Sequence, residues 1–260
     1  MLKKLAAIAL AAGVGVASFA SPARAADEPS LIAPKVNLPK PDAEGFIALF
    51  NGKDLSGWSG LPEYWSVKDG VIVAKEEKAK SKQTFLILTA MRVSDFELHW
   101  KYKFVTAEGN SGVQFRSKIM DEKKDPFRAG GYQADCDAGN TYTGIIYDEA
   151  GGAGGRAIMS KRGEKTHWDA ENKRSNEKLE KSDEELKKII KPSGEWNDCV
   201  LIAKGNHMVY SINGNVTTDL TDDSPKAVKE GILALQCHQG FTMEVQFKDI
   251  KIKPLTEEKK

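Results

Sequence analysis

The 260-residue sequence lacks most of the features that would assign it to a membrane, nucleic-acid-binding or zinc-binding class. After residue 25 no uncharged run is long enough to cross a membrane, which excludes an ordinary transmembrane helix there. Neither sign of charge predominates, since 38 Lys and Arg face 37 Asp and Glu, so the electrostatics give no case for nucleic acid or an anionic membrane surface. No spacing of Cys and His resembles a zinc site.

Cysteine is also scarce, and Cys136, Cys199 and Cys237 are the complete set. Each lies within an apolar, strand-like run, and small apolar thiols in such runs are usually buried. We therefore predict three buried free thiols. An odd number allows at most one intramolecular disulfide, and in an oxidising compartment that bridge stays open as an alternative.

The amino terminus has the three parts of an export signal. Two lysines lie within the first four residues, Leu5 to Ala20 is uncharged, and Ala23-Arg24-Ala25 supplies the small residues that a signal peptidase reads. A membrane anchor is the alternative, but the run is short and rich in Ala and Gly. We predict a signal peptide over residues 1–25 and a periplasmic or secreted protein. Without the three basic residues of that segment, 38 − 3 = 35 basic residues face 37 acidic ones, a net charge of −2.

Residues 26–41 carry four prolines and little that could pack, which predicts an extended, Pro-rich tether. From residue 42 to residue 256 we predict one domain, because this length suits a single large β-sandwich.

Short strand patterns separated by turn residues fill that domain. Trp65–Val67 and Val71–Val73 flank a tight hairpin signal, Lys68-Asp69-Gly70. Phe96–Phe104 alternates apolar and polar residues strictly, as does a strand with one face on a core. The pattern predicts an all-β fold of antiparallel strands.

The carboxy-terminal half repeats this organisation. Cys199–Ala203 and His207–Ile212 predict a hairpin, and Asn213-Gly214 predicts the next turn. Gly231–His238 and Phe241–Ile252 predict a last pair of strands, joined at Gln239-Gly240.

Lys161–Lys191 interrupts the pattern, because it is dense in Lys, Glu, Asp and Asn. Ser182 and Glu185 have the spacing of a capping box, which predicts a short helix from Ser182 through Ile190. For the whole segment we expect a charged, partly helical surface excursion, and a role as one wall of a binding cleft stays open.

Several stretches together resemble the family of 3-keto-disaccharide hydrolases over roughly Gly45 to Pro254. The stretches are Leu49-Phe50-Asn51-Gly52-Lys53-Asp54-Leu55-Ser56-Gly57-Trp58, Gly109-Asn110-Ser111-Gly112-Val113-Gln114-Phe115-Arg116-Ser117, Gly130-Gly131-Tyr132-Gln133-Ala134-Asp135, Gly144-Ile145-Ile146-Tyr147-Asp148, Glu195-Trp196-Asn197 and Phe247-Lys248-Asp249-Ile250. The resemblance implies a concanavalin-like jelly roll of two curved antiparallel sheets, with a carbohydrate cleft on the concave face. It also implies hydrolysis of glycosides that carry a ketone at C3.

One motif departs from the family pattern. Where members often read Tyr-Glu-x-Gln, this chain has Tyr132-Gln133-Ala134-Asp135, with the carboxylate two positions later on the same strand face. Two interpretations follow: an enzyme with a displaced acid, or a carbohydrate-binding module that does not cleave. A structural or adhesion domain without a ligand is a third.

Strand parity selects candidate site residues. Polar side chains alternate with apolar ones on three predicted strands, and together they comprise Gln114, Arg116, Gln133, Asp135, Gln236 and His238. Amides, a guanidinium and carboxyls suit a sugar, because hydroxyls pair with both donors and acceptors. The alternative is that these side chains simply face water.

Chemical roles follow from the ketone. A C3 ketone acidifies the hydrogen on C2, so a base can remove it, the glycosidic oxygen leaves by elimination, and water adds afterwards. Asp135 is the predicted acid/base carboxyl, with Asp148 and Glu149 in reserve. His238 suits the base or acid role near neutral pH, and Arg116 suits the enolate.

Three further residues are predicted to bind substrate: Tyr132, Arg156 and Trp168. Trp168 is a candidate stacking platform for a sugar, and a small satellite core under the charged segment is the alternative. Arg156 follows a Gly-rich turn at the expected cleft rim. We expect no cofactor; acidic loop residues are numerous enough for Ca²⁺, but no ligand spacing specifies a site. The expected partner is a carbohydrate, with no nucleic acid and no membrane insertion after signal cleavage.

Overall fold

The computed structural model describes residues 37–77, 82–149, 152 and 154–255. The predicted signal peptide lies outside these residues, as does the tether except for its last five positions. No helix within the described ranges is long and apolar enough to cross a membrane.

Two β-sheets build the described part of the chain. The larger sheet has ten strands: β1 (Ile47–Ala48), β3 (Trp65–Lys68), β4 (Val71–Glu76), β6 (Phe96–Phe104), β11 (Glu164–Trp168), β12 (Arg174–Lys178), β13 (Asn197–Lys204), β14 (His207–Ile212), β15 (Asn215–Asp222) and β17 (Met243–Pro254). The smaller sheet has seven: β2 (Trp58–Ser59), β5 (Thr84–Leu88), β7 (Asn110–Asp121), β8 (Asp125–Asp137), β9 (Ile146–Glu149), β10 (Ala157–Ser160) and β16 (Ile232–Cys237). One helix, α1 (Asp183–Ile189), accompanies them in the described ranges.

The order of strands is non-sequential in both sheets. It runs β12-β11-β15-β14-β13-β6-β17-β4-β3 in the larger sheet, where β1 also pairs with β17, and β10-β9-β8-β7-β16-β5-β2 in the smaller one. Neighbouring strands are antiparallel except β11 and β15, which are parallel. The predicted all-β jelly-roll sandwich is confirmed, with this one parallel pair as a departure.

The main core forms from alternate residues of both sheets. Burial alternates along all nine residues of β6, as its sequence predicts. Trp100 of that strand stacks on Tyr210 at 5.6 Å between ring centroids, and such aromatic pairs supply much of the apolar area of a sandwich core. The three cysteines all lie among the described residues, and each is a buried free thiol, as predicted.

Two predicted hairpins are confirmed by their turn geometry. Asp69-Gly70 joins β3 to β4, and Asn213-Gly214 joins β14 to β15. All four residues have positive φ, between 49° and 77°, as a type I′ turn requires.

The prediction that Gly231–His238 pairs with Phe241–Ile252 is wrong. β16 pairs with β5 and β7 in the smaller sheet, whereas β17 pairs with β4 and β6 in the larger one. The residues around Gln239-Gly240 therefore cross from one sheet to the other. Turn composition indicates a change of direction, but it does not specify which sheet receives the next strand.

The charged segment is more regular than its composition suggests. β11 and β12 extend the edge of the larger sheet, and most side chains of β12 are exposed. The predicted helix is confirmed with its cap: Ser182 accepts from the Glu185 backbone N–H, and the Glu185 side chain accepts from the Ser182 backbone.

Candidate functional site

Three adjacent strands of the smaller sheet carry a line of glutamine side chains on the face turned away from the larger sheet, here called the far face. Gln114 of β7 lies opposite Gln133 of β8 on one side and Ala234 of β16 on the other. Val113 and Phe115, the neighbours of Gln114, enter the main core, so alternation directs Gln114 to the far face.

The glutamines form one continuous chain of hydrogen bonds, here called the amide row: Gln114, Gln133 and Gln236. Gln114 Nε2 donates to Gln133 Oε1 at 2.9 Å, and Gln133 Nε2 donates to Gln236 Oε1 at 3.0 Å. None of the three side chains is more than 1% exposed. Each amide satisfies its neighbour, which offsets the cost of burying the polar groups.

Two carboxyl groups bond the amide row: Glu149 at its Gln236 end, and Asp135 at the middle glutamine, Gln133. Gln236 Nε2 donates to Glu149 Oε2 at 3.2 Å, and Arg128 donates to Glu149 Oε1 at 3.4 Å. Asp135 Oδ1 accepts from Gln133 Nε2 at 3.4 Å and from Asn110 Nδ2 at 3.3 Å. Glu149 thus accepts from two donors, one of them cationic, as an ionised carboxylate does.

The environments of the two carboxyl groups differ. Asp135 is 5% exposed, and burial raises its pKa well above the ordinary value, with the negative charge of Asp137 adding to the effect. Burial therefore favours the protonated form of Asp135. The Glu149 side chain keeps 12% of its surface exposed beside the cationic Arg128. Such a pair of unlike carboxyl groups suits acid–base chemistry.

Tyr147 extends this face toward solvent. It lies opposite Gln133 on β9 and is half-buried. Burial raises the pKa of its hydroxyl, and the charge of Glu149 adds to the effect, so the phenol stays protonated as a donor. A small second apolar cluster, which includes Phe85, Ile87 and Ala234, borders the same face.

Arg116 does not join the amide row. Its three nitrogens donate to Ser94 O at 2.7 Å, Gly205 O at 2.6 Å and Asp95 Oδ1 at 2.9 Å. The pairing of β7 with β8 shifts register between Phe115 and Lys118, and Arg116 has φ +46°. This bulge interrupts the alternation on which the parity prediction depends, so the predicted convergence is wrong for this residue.

Three other predicted residues form a buried group around Asp222. The Tyr132 hydroxyl donates to Asp222 Oδ2, and Arg156 donates to both Asp222 oxygens, at 3.0 and 2.6 Å. The Trp168 ring lies 5.0 Å from the Arg156 guanidinium, and its indole N–H donates to Met159 O. All three side chains are engaged in contacts within the protein, and Trp168 packs against the main core and not against a separate satellite core.

The remaining candidates lie apart from the amide row. Asp148 Oδ2 accepts from the Arg156 backbone N–H at 2.9 Å, and the side chain faces the same side of its strand as the core residue Tyr132. His238 follows the end of β16, where Nδ1 is 2.6 Å from Gln239 O and the ring contacts Phe241. The role predicted for His238 stays a prediction.

Sequence reasoning missed four members of this face: Asn110, Ser117, Arg128 and Tyr147. Alternation along β7 and β9 could have found both Asn110 and Tyr147, because Asn110 stands four positions before Gln114 and Tyr147 two positions before Glu149. Arg128 and Ser117 depend on bulges between β7 and β8, for which the sequence carried no signal. Within the described ranges, no group of three or more His, Cys, Asp or Glu side chains could hold a metal ion.

A two-sheet β-sandwich presents amides and carboxyls on one sheet face, and these are side chains that can pair with sugar hydroxyls. The model of the 3-keto-α-glucoside-1,2-lyase-like domain matches residues 45–253, and the chain belongs to that family. The resemblance stated from the sequence motifs is thereby confirmed.

The chain is also similar to individual proteins, one of them named for the same substrate class. A 3-keto-disaccharide hydrolase of Bacteroides thetaiotaomicron is 26% identical over 250 residues, which cover 82% of this chain and 80% of the relative. A predicted glycosyl hydrolase of Parabacteroides distasonis has a TM-score of 0.55 and 21% identity, over 82% of this chain and 95% of that one. A Bacillus subtilis protein with a galectin-like fold has a TM-score of 0.52 and 10% identity, over 84% and 98%. The two structures share the fold.

Proposed function

We propose that this chain is an exported enzyme that cleaves the glycosidic bond of 3-keto-glycosides. The observation that carries the proposal is the pair of unlike carboxyl groups on one sheet face: Glu149 is paired with the cationic Arg128, whereas Asp135 is buried without a cationic partner among the described residues, which raises its pKa. The family, named for a lyase on 3-keto-α-glucosides, and the relative named 3-keto-disaccharide hydrolase supply the substrate class. The amino-terminal pattern supports export.

The proposed reaction is an elimination followed by addition of water. Glu149 takes the proton from C2, and the electrons of the C2–H bond move to the C3 oxygen as an enolate. The enolate then returns its electrons, the C1=C2 bond forms, and the C1–O bond breaks as the leaving oxygen takes a proton from Asp135. Water adds across C1=C2, with hydroxyl at C1 and hydrogen at C2, which completes a hydrolysis.

Other residues of the far face have supporting roles in this proposal. Arg128, half-exposed beside Glu149, is the cation that can stabilise the enolate, because the Arg116 donors are all engaged elsewhere. Tyr147 offers a protonated hydroxyl at the solvent side, suited to a sugar hydroxyl. We propose no cofactor and no Ca²⁺.

The test measures release of keto-sugar and reducing sugar from 3-keto-trehalose or 3-keto-lactose. Glu149→Gln should lower kcat by at least about 100-fold, because general-base catalysis supplies ~10²–10⁴-fold. Glu97→Gln is the matched control, since Glu97 pairs with His99 on the larger sheet. Undiminished turnover by a folded Glu149→Gln protein would sink the assignment.

Two further variants identify the acid. If Asp135 protonates the leaving oxygen, Asp135→Asn should lower kcat as strongly as Glu149→Gln, and Tyr147→Phe should mainly raise KM. The reverse pattern would move the acid to Tyr147. A similar loss in His238→Ala would restore the role predicted for that histidine from the sequence.

A binding module is the second candidate, favoured by the departure of Tyr132-Gln133-Ala134-Asp135 from the family's Tyr-Glu-x-Gln pattern. Calorimetric binding of a 3-keto-disaccharide without any product would support it. Absence of both binding and product would leave the structural or adhesion domain.

A further inference from the structure

Ser117 reaches the far face although it stands three positions after Gln114, a spacing that regular alternation would place on opposite faces. Its hydroxyl Oγ lies 2.5 Å from Gln114 Oε1. The register shift between Phe115 and Lys118 brings it there. Two backbone acceptors lie nearby, Phe115 O at 3.0 Å and Tyr132 O at 3.3 Å.

The amide row has a direction. A primary amide presents its oxygen to one neighbour and its NH₂ group to the next, so the orientations of the three glutamines depend on one another. In the structure every NH₂ group points toward the Glu149 end, and Gln236 donates to the carboxylate. If all three amides reversed, Gln236 would present an oxygen to Glu149, which is favourable only when Glu149 carries a proton.

The hydroxyl of Ser117, at the Gln114 end of the amide row, can pair with the row in either direction. Ser117 donates to Gln114 Oε1 in the present orientation. After a reversal it would accept from Gln114 Nε2, and its proton would turn to a backbone carbonyl such as Phe115 O. At the position of Ser117, an amide could pair with both orientations of Gln114 only by flipping, and a carboxylate only by gaining or losing a proton.

We propose that the amide row reverses when Glu149 takes up a proton, and that Ser117 is the positioning residue that makes both directions possible. The inference rests on the proposed function only in giving Glu149 a proton to receive. In catalytic terms, the reversal turns a donor to the carboxylate into an acceptor for the carboxylic acid. No covalent bond in the row changes, and the proton itself stays on Glu149.

Several charged or titratable groups face Glu149 besides the row. Arg128 contacts it from β8, and Asp135 and Tyr147 lie within electrostatic range on β8 and β9. Arg128 brings a positive charge to the Glu149 carboxyl group, and an ionised Asp135 would bring a negative one. The positive charge of Arg128 does not fix the direction of the amides. Asp135 bears on it as a partner, because its Oδ1 accepts from Gln133 Nε2 at 3.4 Å, so a reversed Gln133 needs a proton on Asp135 that is donated to Gln133 Oε1.

Neutron crystallography of the wild-type protein tests the proposal without substrate. Crystals are equilibrated in D₂O at neutral pD and at a series of lower values, and the deuterium atoms of the glutamines, of Ser117 and of Glu149 are located. We expect all three amides to reverse in those structures where Glu149 carries deuterium. Deuterium on Glu149 with the amides in their present direction would overturn the proposal, whether or not the protein cleaves 3-keto-glycosides.

Steady-state kinetics of variants provide a second test of the role of Ser117. Ser117→Ala leaves one end of the row unpaired in both directions, so kcat should fall about tenfold while KM stays within about twofold. Ser160→Ala is the matched control, because its buried hydroxyl bonds Thr166 far from the row, and it should retain wild-type kcat. If Ser117→Ala does not fold, Gln114→Leu removes the same terminus from the other side. Wild-type kcat in either folded variant would contradict the role of Ser117.

Discussion

Asp222 lies at the centre of a fully buried group in which a carboxylate, a guanidinium and a phenol meet. Besides the bonds from Arg156 and Tyr132, it accepts from Ser224 Oγ at 2.7 Å, and the Asp222 side chain is 0% and the Arg156 side chain 4% exposed. Asp222→Asn keeps the shape but removes the charge. The guanidinium would then remain buried without a counter-charge, which is the costly way to break such a pair.

The magnitude follows from that burial. Removing one partner of a buried ion pair costs about 3–5 kcal/mol, against a typical domain stability of roughly 5–15 kcal/mol. Asp219 on the same strand provides the control: it pairs with His207 at 2.8 Å, with side chains 21% and 48% exposed. A pair at that exposure contributes up to about 1 kcal/mol, so Asp219→Asn should change stability little.

Urea unfolding at pH 7, followed by tryptophan fluorescence, measures both variants. We expect a large fall in the midpoint for Asp222→Asn at an unchanged m-value, and a small one for Asp219→Asn. Tyr132→Phe should cost about 1 kcal/mol in the wild type and less in Asp222→Asn, because the phenol then has lost its charged acceptor. Equal effects of the two Asp→Asn changes would refute the buried-pair account.

The same pair predicts a dependence on pH. Burial acts to raise the pKa of Asp222, but hydrogen bonds from Arg156, Tyr132 and Ser224 outweigh it and lower the pKa below the ordinary 3.8. A group whose pKa is lower in the folded state stabilises the protein above its unfolded value. The stability difference between wild type and Asp222→Asn should therefore be full at neutral pH and narrow as the pH falls below about 3.8. A gap that widens in this range would contradict the assignment.

Two further changes test local features by urea unfolding. Gly131→Ala should destabilise by about 1–3 kcal/mol, because at φ +148° its Cβ would also lie 2.7 Å from Ser117 Cα. Gly52→Ala shares the positive φ, at +73°, but meets nothing within 4 Å, so it should cost less. Ser182→Ala should cost about 1 kcal/mol by removing the helix cap, and Ser175→Ala on exposed β12 is its control; equal costs would contradict the capping argument.

The sequence predicted best where local chemistry determines the structure. Alternation identified β6, the Asp69-Gly70 and Asn213-Gly214 pairs identified the turns after β3 and β14, and a capping box identified α1. These features need only neighbours in the chain. The destination of β17 depends instead on β4 and β6, between which it lies in the larger sheet, and those strands are far away in the sequence.

The candidate site divides in the same way. Parity correctly brought Gln114, Gln133, Asp135 and Gln236 to one face, because β7, β8 and β16 are regular there and adjacent. Strand parity could not predict the group around Asp222, because Tyr132 is 90 positions and Arg156 66 positions from Asp222 in the sequence. The polar types that suit a sugar also suit a buried ion pair, and only burial and partners distinguish the two uses.

A single bulge in β7 accounts for both the largest error and the most informative residue of the site. Had β7 continued regularly after Phe115, Arg116 would have joined the amide row, and Ser117 would have entered the core. The bulge exchanges these roles: Arg116 is directed to Asp95, Ser94 and Gly205, and Ser117 reaches Gln114. A guanidinium beside the row would supply a fixed positive charge and only donors. A hydroxyl supplies a donor and an acceptor without charge, so the irregular strand gives the amides a terminus that can change direction.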